Sequence, residues 1–138
     1  MSETQRWTQS RLHDLDRQEC RELLESHRVG RVAFVTPGGP VVLPVNYVVT
    51  EDAIVFRTTP HGEIARQIDG RRAAFEVDET DDFTESGWSV LVQGVATFVE
   101  SARDLPDESR PTAWADGIRS LFVRIRLETV TGRRLLPG

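Results

Sequence analysis

The chain has 138 residues, of which 38% are hydrophobic and 28% charged, with a net charge of −5 and one cysteine. This composition indicates one globular domain over residues 1–138, and it excludes a disulfide framework and a cysteine-based zinc site. The acidity argues against nucleic-acid binding, and no apolar run reaches the roughly 18 residues of a membrane span. All 17 basic residues are arginines, so an anion site must use guanidinium groups, hydroxyls or backbone N–H groups.

The N-terminal stretch MSETQRWTQSR lacks the apolar segment of a secretory signal, so we expect a cytoplasmic protein. Residues 1–14 are expected to form a flexible arm. Asp16, followed three residues later by Glu19, is typical of a capping box and predicts a helix that runs through Ser26. Cys20 and Leu24 would lie on its apolar face, where the thiol acts as a small hydrophobic group.

Six strands are predicted after this helix, most of them in hairpin order. They are 29–36, 41–50, 53–58, 72–78, 87–100 and 121–130. A short helix at 62–69, closed by Gly70, separates the third strand from the fourth. Residues 79–86 are predicted to be an acidic loop, and residues 101–117 an irregular segment. Consecutive short strands joined by tight turns predict a mainly β fold, an antiparallel barrel with small helices.

Two residues inside these strands need an explanation. Pro44 cannot donate a ladder hydrogen bond, so its position is a bulge, an edge or a break in the second strand. Gly94, in the middle of the longest strand, predicts a bulge or a close approach of another backbone.

Several chemical signatures are absent from the chain. It has no dinucleotide-binding glycine fingerprint, no phosphate-binding P-loop and no serine nucleophile elbow. Its histidines, His13, His27 and His61, do not have the spacing of metal ligands, so we predict no metal site. No side chain stands out as a general acid or base, and we predict no catalytic residue.

The segment Arg57-Thr58-Thr59 is the first candidate for a binding site. It ends a strand shortly before a helix begins, so a guanidinium group and two hydroxyls lie close to unsatisfied N–H groups. Arg66, one helical turn further on, could reach the same place. This pattern fits a phosphate group. It also fits a solvated strand end with β-forming threonines, and residue types alone do not decide between the two.

Two further stretches could contact a flat ligand. At Pro44-Val45-Asn46-Tyr47, an interrupted ladder would free backbone groups to bind the edge of a heteroaromatic ring, and Tyr47 would offer a ring face. The alternative is a bulged strand that binds nothing. Trp88 and Ser89 follow the acidic loop and could wall a pocket. Alternatively, Trp88 is a core or dimer-interface aromatic.

The order of the segments adds a family resemblance. The run VGRVAF, VVLPVNYVV, IVFRTTP, AAFEVDE, GWSVLVQGVA and FVRIRLETVTGRRL resembles the pyridoxamine 5′-phosphate oxidase-related, FMN-binding split-barrel family, in particular its small actinobacterial members. The resemblance covers residues 15–135. It implies a six-stranded antiparallel split barrel and a homodimer with two flavin sites at the subunit interface.

The resemblance also implies roles for the candidate residues. Arg57, Thr58 and Thr59 match the phosphate-binding strand end of the family. In the stretch from Pro44 to Asn46, Val45 and Asn46 match the family's residues that line the isoalloxazine ring. Trp88 and Ser89 match the segment that approaches the flavin from the other subunit.

The chain departs from the family pattern in two places. Glu63 stands where relatives often have a lysine after the phosphate loop, which weakens phosphate binding unless the carboxylate points to water or Arg66 compensates. The C-terminal TGRRLLPG lacks the histidine of the vitamin B6-oxidising enzymes, so oxidation of pyridoxamine phosphate is not expected. The resemblance therefore implies a flavin-dependent oxidoreductase, with FMN or a deazaflavin (coenzyme F420), acting on a small-molecule substrate. The alternative is a non-catalytic barrel that stores or senses a flavin, a deazaflavin or haem.

Overall fold

The computed structural model of the chain describes residues 11–99 and 121–138. In chain order its elements are β1 (Leu12–Asp14), α1 (Arg17–Glu25), β2 (Val29–Thr36), β3 (Gly39–Val49), β4 (Ala53–Thr58), α2 (Glu63–Gln67), β5 (Arg72–Asp81), β6 (Ser86–Phe98), β7 (Leu121–Arg126) and β8 (Thr129–Leu135). The predicted irregular segment at 101–117 and the first ten residues of the predicted arm lie outside the described residues.

Six strands close into an antiparallel barrel. Around the barrel the order is β6–β5–β2–β3–β4–β7, and β7 pairs back with β6. Apolar residues from alternate positions fill the interior; the largest that are fully buried include Phe56, Phe75, Ile54 and Ile125. The predicted mainly β fold, a six-stranded split barrel with small helices, is therefore confirmed.

Two strands lie outside the six-stranded barrel, and both differ from the sequence prediction. Residues 12–14 are not part of a free arm, because β1 pairs with β8 from Leu12 opposite Leu135. The predicted last strand at 121–130 is two strands, because β7 pairs with β4 and the end of β6, whereas β8 pairs with the first half of β6. The chain must turn between them. No glycine or proline marks that turn, so the alternating pattern continues across it.

The predicted acidic loop at 79–86 is shorter in the structure. β5 continues to Asp81 and β6 begins at Ser86, which leaves a four-residue turn at 82–85. Asp81 shapes this turn, since its Oδ1 accepts hydrogen bonds from the N–H groups of Phe83 (2.9 Å) and Thr84 (3.2 Å). A short polar side chain that bonds the backbone two residues on is typical of tight turns.

β6 changes partner at Gly94. Before this residue β6 pairs with β8, and after it β6 pairs with β7. A Cβ atom at position 94 would lie 2.1 Å from the carbonyl oxygen of Arg126. The predicted close approach of another backbone is therefore confirmed, and it comes from the strand that closes the barrel.

Helix α1 covers one end of the barrel and has the predicted capping box. The Asp16 side chain accepts a hydrogen bond from Glu19 N (2.8 Å), and Asp16 N donates to the Glu19 carboxylate (3.2 Å). Cys20 and Leu24 are buried beneath the helix. Burial raises the pKa of the Cys20 thiol, with smaller contributions from the nearby carboxylates, so the thiol stays neutral and packs as a hydrophobic group.

Tyr47 lies in the core and joins the helix to the barrel, so it does not offer its ring face to a ligand at Pro44–Asn46. Its hydroxyl donates to Leu24 O at 2.5 Å, and its ring packs edge-on against Phe75 with centroids 4.7 Å apart. The residue is 3% exposed, and burial raises the pKa of its phenol above that of an exposed tyrosine. A buried neutral phenol is therefore part of the folded state.

Replacement of this phenol should change the alkaline stability of the protein. Above pH 10 the tyrosine of the unfolded chain loses its proton while Tyr47 of the folded chain keeps it, so rising pH favours unfolding. The stability that Tyr47 contributes is complete below pH 10 and is lost at higher pH, at about 1.4 kcal/mol per pH unit. We expect Tyr47→Phe to cost about 1 kcal/mol at pH 7, from the lost hydrogen bond, and to flatten the decline above pH 10. Urea unfolding of both proteins from pH 7 to 12 measures this; parallel pH curves would contradict it.

Candidate functional site

Pro44 lies at an edge within β3. The strand is continuous there, with Pro44 opposite Arg31 of β2. Tyr47 N donates to Arg28 O (3.0 Å), so positions 47 and 28 form a hydrogen-bonded pair. Because bonded and non-bonded pairs alternate in an antiparallel ladder, Pro44 is at a non-bonded position and its nitrogen points away from β2. Of the three predicted possibilities, the edge is correct, and the proline costs no ladder hydrogen bond.

The other side of β3 is only partly covered. β4 pairs with only three residues of β3, Tyr47 to Val49. The ladder between these two strands therefore does not include Asn46. Beyond that point the end of β4 and the start of α2 border a cavity of about 270 Å³, which we call the strand-end cavity. Its lining residues are Leu43, Pro44, Val45, Asn46, Arg57, Thr58, Thr59, Gly62, Glu63 and Ile64.

Six of the nine residues predicted to bind a cofactor line this cavity. They are Pro44, Val45, Asn46, Arg57, Thr58 and Thr59. The strand end and the proline stretch were separate candidates in the sequence, and the barrel brings them together. Leu43, Gly62 and Ile64 were not predicted. Only their position next to predicted residues could have indicated them.

The donors of the cavity differ in their surroundings. Arg57 is half-buried, and its guanidinium group lies 5.3 Å from the centre of the Phe122 ring, within cation–π range. Thr58 is 5% exposed, whereas Thr59 is exposed. The carbonyl oxygen of Thr59 accepts a hydrogen bond from Gly62 N (3.1 Å), which closes the turn into α2. One cation and two hydroxyls therefore border the same space from a rigid strand end.

Glu63 and Arg66 occupy different places on α2. Glu63 is the first residue of this helix and lines the strand-end cavity. Arg66 is not in the lining; its guanidinium group donates to His61 O at 2.8 Å and so supports the turn before the helix. The structure therefore does not show Arg66 beside Arg57, and the carboxylate of Glu63 shares the cavity with Arg57, the one cation among the described lining residues.

Trp88 and Ser89 lie away from the strand-end cavity. Trp88 borders a separate cavity of about 360 Å³, which we call the Trp88 pocket. The Trp88 pocket is lined by Glu79, Thr80, Asp81, Ser86, Gly87, Trp88, Arg134, Leu135, Leu136 and Pro137. Ser89 lines an adjoining cavity of about 300 Å³ together with Trp88. Within one subunit, then, these two residues and the six residues of the strand-end cavity belong to different spaces.

A charged cluster lies on β2 and β5, directly across from Pro44, and the sequence analysis did not predict it. The Arg31 guanidinium group contacts the Glu76 carboxylate and lies 2.8 Å from Asp78 Oδ1. The hydrogen bond to Glu76 raises the pKa of Arg31. Burial raises the pKa of Glu76, while the bond from Arg31 opposes this shift. The cluster bridges β2 and β5 beside the part of β3 that does not pair with β4.

In the part of the chain that the structure describes, no group of three or more histidine, cysteine, aspartate or glutamate side chains is placed to hold a metal ion. No described helix is long and apolar enough to cross a membrane.

Known proteins with the same sequence pattern and fold place the chain in a family. A family model described as pyridoxamine 5′-phosphate oxidase matches residues 16–134. An uncharacterized protein of Mycobacterium tuberculosis, Rv0080, is 32% identical over 129 residues, which cover 89% of this chain and 85% of the relative. The FAD-binding protein of Mycobacterium smegmatis superposes with a TM-score of 0.70 at 28% identity, over 90% of this chain and 98% of that one. A FAD-binding protein of Mesorhizobium loti gives a TM-score of 0.71 at 25% identity, over 89% and 97% of the two chains. The chain therefore belongs to the pyridoxamine 5′-phosphate oxidase-related family of flavin-binding split-barrel proteins.

Proposed function

We propose that the protein binds a flavin nucleotide through the strand-end cavity and acts as a flavin-dependent oxidoreductase on a small-molecule substrate. One observation carries the proposal: Arg57, Thr58 and Thr59 share a cavity with Pro44–Asn46, the part of β3 that does not pair with β4. The first group suits a 5′-phosphate, since a guanidinium group and hydroxyls are phosphate donors. The second suits the polar edge of the flavin ring, because backbone groups of β3 point away from β2 there.

The flavin would supply hydride transfer, and the protein would supply binding and orientation. Arg57 holds negative charge at the end of β4, while Val45 and Ile64 give the cavity an apolar wall. The relatives in Mycobacterium smegmatis and Mesorhizobium loti are FAD-binding proteins, and FMN and FAD share the flavin ring and the first phosphate. FMN is the smaller ligand and remains our preferred one.

The cofactor can be identified directly. Mass spectrometry of the small molecule released by heating the purified protein should show FMN or FAD. If the protein is isolated without a ligand, saturating FMN should raise its melting temperature by several degrees, because it binds the folded state alone. Parallel titrations with FAD, riboflavin and a deazaflavin show which of these ligands the protein prefers. If the deazaflavin stabilises the protein and FMN and FAD do not, the FMN assignment is overturned.

We further propose that two copies of the chain form the site. A cavity of about 270 Å³ is at or below the lower limit of typical ligand pockets, about 300 Å³, so one subunit supplies too little space for a whole flavin nucleotide. The β2–β3 hairpin extends beyond the β5 pairing, which ends at Ala33. Val35 lies on this extension and is 63% exposed, and Val42, at its base opposite Ala33, is 59% exposed. Apolar side chains on a projecting edge favour a partner surface, and a second copy would bring its Trp88 and Ser89 to the site.

The dimer proposal predicts a particle of twice 15.6 kDa by light scattering. Val42→Glu places a charge on the hairpin, so we expect the particle mass to fall to that of one chain. Loss of the dimer should also weaken flavin binding. Gln18→Glu adds the same charge to the exposed surface of α1 and should leave the mass unchanged. A monomer that binds flavin as tightly as the wild type would contradict the shared site.

A non-catalytic flavin-binding barrel is the second candidate, and Glu63 favours it because a carboxylate in the cavity repels phosphate. Removing a unit charge at about 4 Å changes the interaction by about 1 kcal/mol in water. We therefore expect Glu63→Gln to tighten FMN binding about fivefold and to leave riboflavin, which has no phosphate, unchanged. Equal affinities of the two proteins for FMN would show that Glu63 points to water.

The same preparation separates an enzyme from a storage protein. After chemical reduction of the bound flavin, a quinone or a nitroaromatic acceptor should reoxidise it faster than it reoxidises free reduced flavin. If the protein slows that reaction instead, the storage function is favoured and the oxidoreductase proposal fails.

A further inference from the structure

His27, Glu79 and Trp88 meet where α1 ends and the β5–β6 hairpin passes beneath it. The imidazole and indole rings are T-shaped, with centroids 5.1 Å apart and planes at 89°. His27 Nε2 lies 3.2 Å from the Glu79 carboxylate, and Nδ1 lies 2.8 Å from Ser26 Oγ. Glu79 is also directly opposite Trp88 in the β5–β6 ladder. Three elements therefore fix the relation between the two rings.

Each nitrogen of the His27 ring has a defined role. Ser26 Oγ lies 2.6 Å from Leu23 O, which is an acceptor, so the hydroxyl donates its single hydrogen there. The same hydroxyl oxygen lies 2.8 Å from His27 Nδ1, and Nε2 faces the Glu79 carboxylate at 3.2 Å. The ring is thus tied to the end of α1 on one side and to β5 on the other. Both nitrogens are used in these contacts, so the ring is a support rather than a proton donor to a ligand.

Trp88 is the group through which His27 can act on a ligand. His27 is absent from the linings of the strand-end cavity and the Trp88 pocket, whereas Trp88 borders the Trp88 pocket. Tryptophan at such a place can turn about its side-chain torsions unless a neighbour holds it. The edge-to-face contact with an anchored ring supplies that restraint.

We propose that His27 is a positioning residue, which holds the Trp88 indole in one orientation at the Trp88 pocket. There the indole meets the flavin bound by a second copy of the chain. This last part rests on the proposed function; the restraint on Trp88 itself does not. The inference gives a specific role to a histidine with no metal-ligand spacing, and it ties helix α1 to the geometry of the flavin site.

The first experiment uses the ligand-free protein. Trp7→Phe and Trp114→Phe leave Trp88 as the single tryptophan, and ¹⁵N relaxation then gives the order parameter of its indole N–H. We expect about 0.85 in this background and below about 0.6 after His27→Gln, which removes the ring. His27→Phe keeps an aromatic ring against the indole and should retain most of the order. Glu79→Ala loosens one tether and should give an intermediate value.

Far-UV circular dichroism and melting temperature of each variant show that the fold is intact, which is expected because the His27 side chain is 29% exposed. An order parameter unchanged in both His27→Gln and Glu79→Ala would overturn the proposal. A loss of order in His27→Phe as large as in His27→Gln would also overturn it, because the ring contact would then not be the restraint.

The second experiment adds FMN. An indole held beside the flavin should quench its emission, so we expect the emission of bound FMN to rise in His27→Gln. If FMN does not bind the wild type, the proposed function fails, and the order parameter still decides the role of His27. If FMN binds and Trp88 loses its order without any change in flavin emission, the positioning role toward the flavin is refuted.

Discussion

Arg57→Ala should weaken FMN binding by about 2 kcal/mol, or about thirtyfold, and should leave riboflavin binding nearly unchanged. Among the described residues that line the strand-end cavity, Arg57 is the one with a positive charge, and it pairs with β7 opposite Phe122. A charged hydrogen bond to a phosphate contributes energy of this size. Isothermal titration of both ligands into both proteins measures the difference.

Three comparisons make this result specific. Arg57→Lys keeps the charge but loses the planar fork, so its FMN affinity should lie between those of the wild type and Arg57→Ala. Arg126→Ala removes an exposed guanidinium group from β7 and should leave FMN affinity unchanged. The loss of the Phe122 contact costs stability on the order of 0.5–1 kcal/mol, which a melting curve reports separately. Equal losses of FMN and riboflavin would show that Arg57 does not bind the phosphate.

Gly94→Ala should destabilise the fold by about 3 kcal/mol or more and lower the melting temperature by about 10 °C. The new methyl group would lie 2.1 Å from the carbonyl oxygen of Arg126 and 3.1 Å from the Glu128 carboxylate. The first neighbour is backbone, which cannot turn aside, so β6 and β7 must separate where the barrel closes. Thermal unfolding followed by circular dichroism measures this effect.

Gly38→Ala is the matched control for this prediction. Gly38 lies in the turn between β2 and β3, and the nearest atom to a new methyl group there is 3.7 Å away, an ordinary contact. Its melting temperature should stay close to that of the wild type. A similar small effect at both positions would mean that β6 and β7 are less closely packed than the structure shows.

The sequence predicted most of the fold because its local signals agreed with the tertiary structure. The capping box at Asp16 and the strands β2 and β4 are signalled by neighbours in sequence, and the structure has them where they were predicted. The division of the last predicted strand could not be predicted in this way. Residues 121–135 keep an alternating pattern while they pair with different parts of β6, and only the closed barrel requires the turn between β7 and β8.

The candidate site shows a similar limit. Residue chemistry identified the donors at Arg57–Thr59 and the edge at Pro44, and the fold brings the two together. Residue chemistry did not show that Arg66 donates to His61 O. A residue one helical turn past the strand end could equally reach a phosphate or support the turn. The support of Trp88 by His27 was also beyond prediction. Sixty-one residues separate the two rings, and only the packing of α1 on the β5–β6 hairpin joins them.

The closure of the barrel by β7 has a consequence for the synthesis of the protein. During translation β2 to β6 leave the ribosome first, and the ring cannot complete until residues 121–126 have followed, since they fill the gap between β4 and β6. Until then two strands keep unpaired edges, which are templates for association with other chains. A nascent chain that stalls before this point would therefore expose both of these edges to other chains.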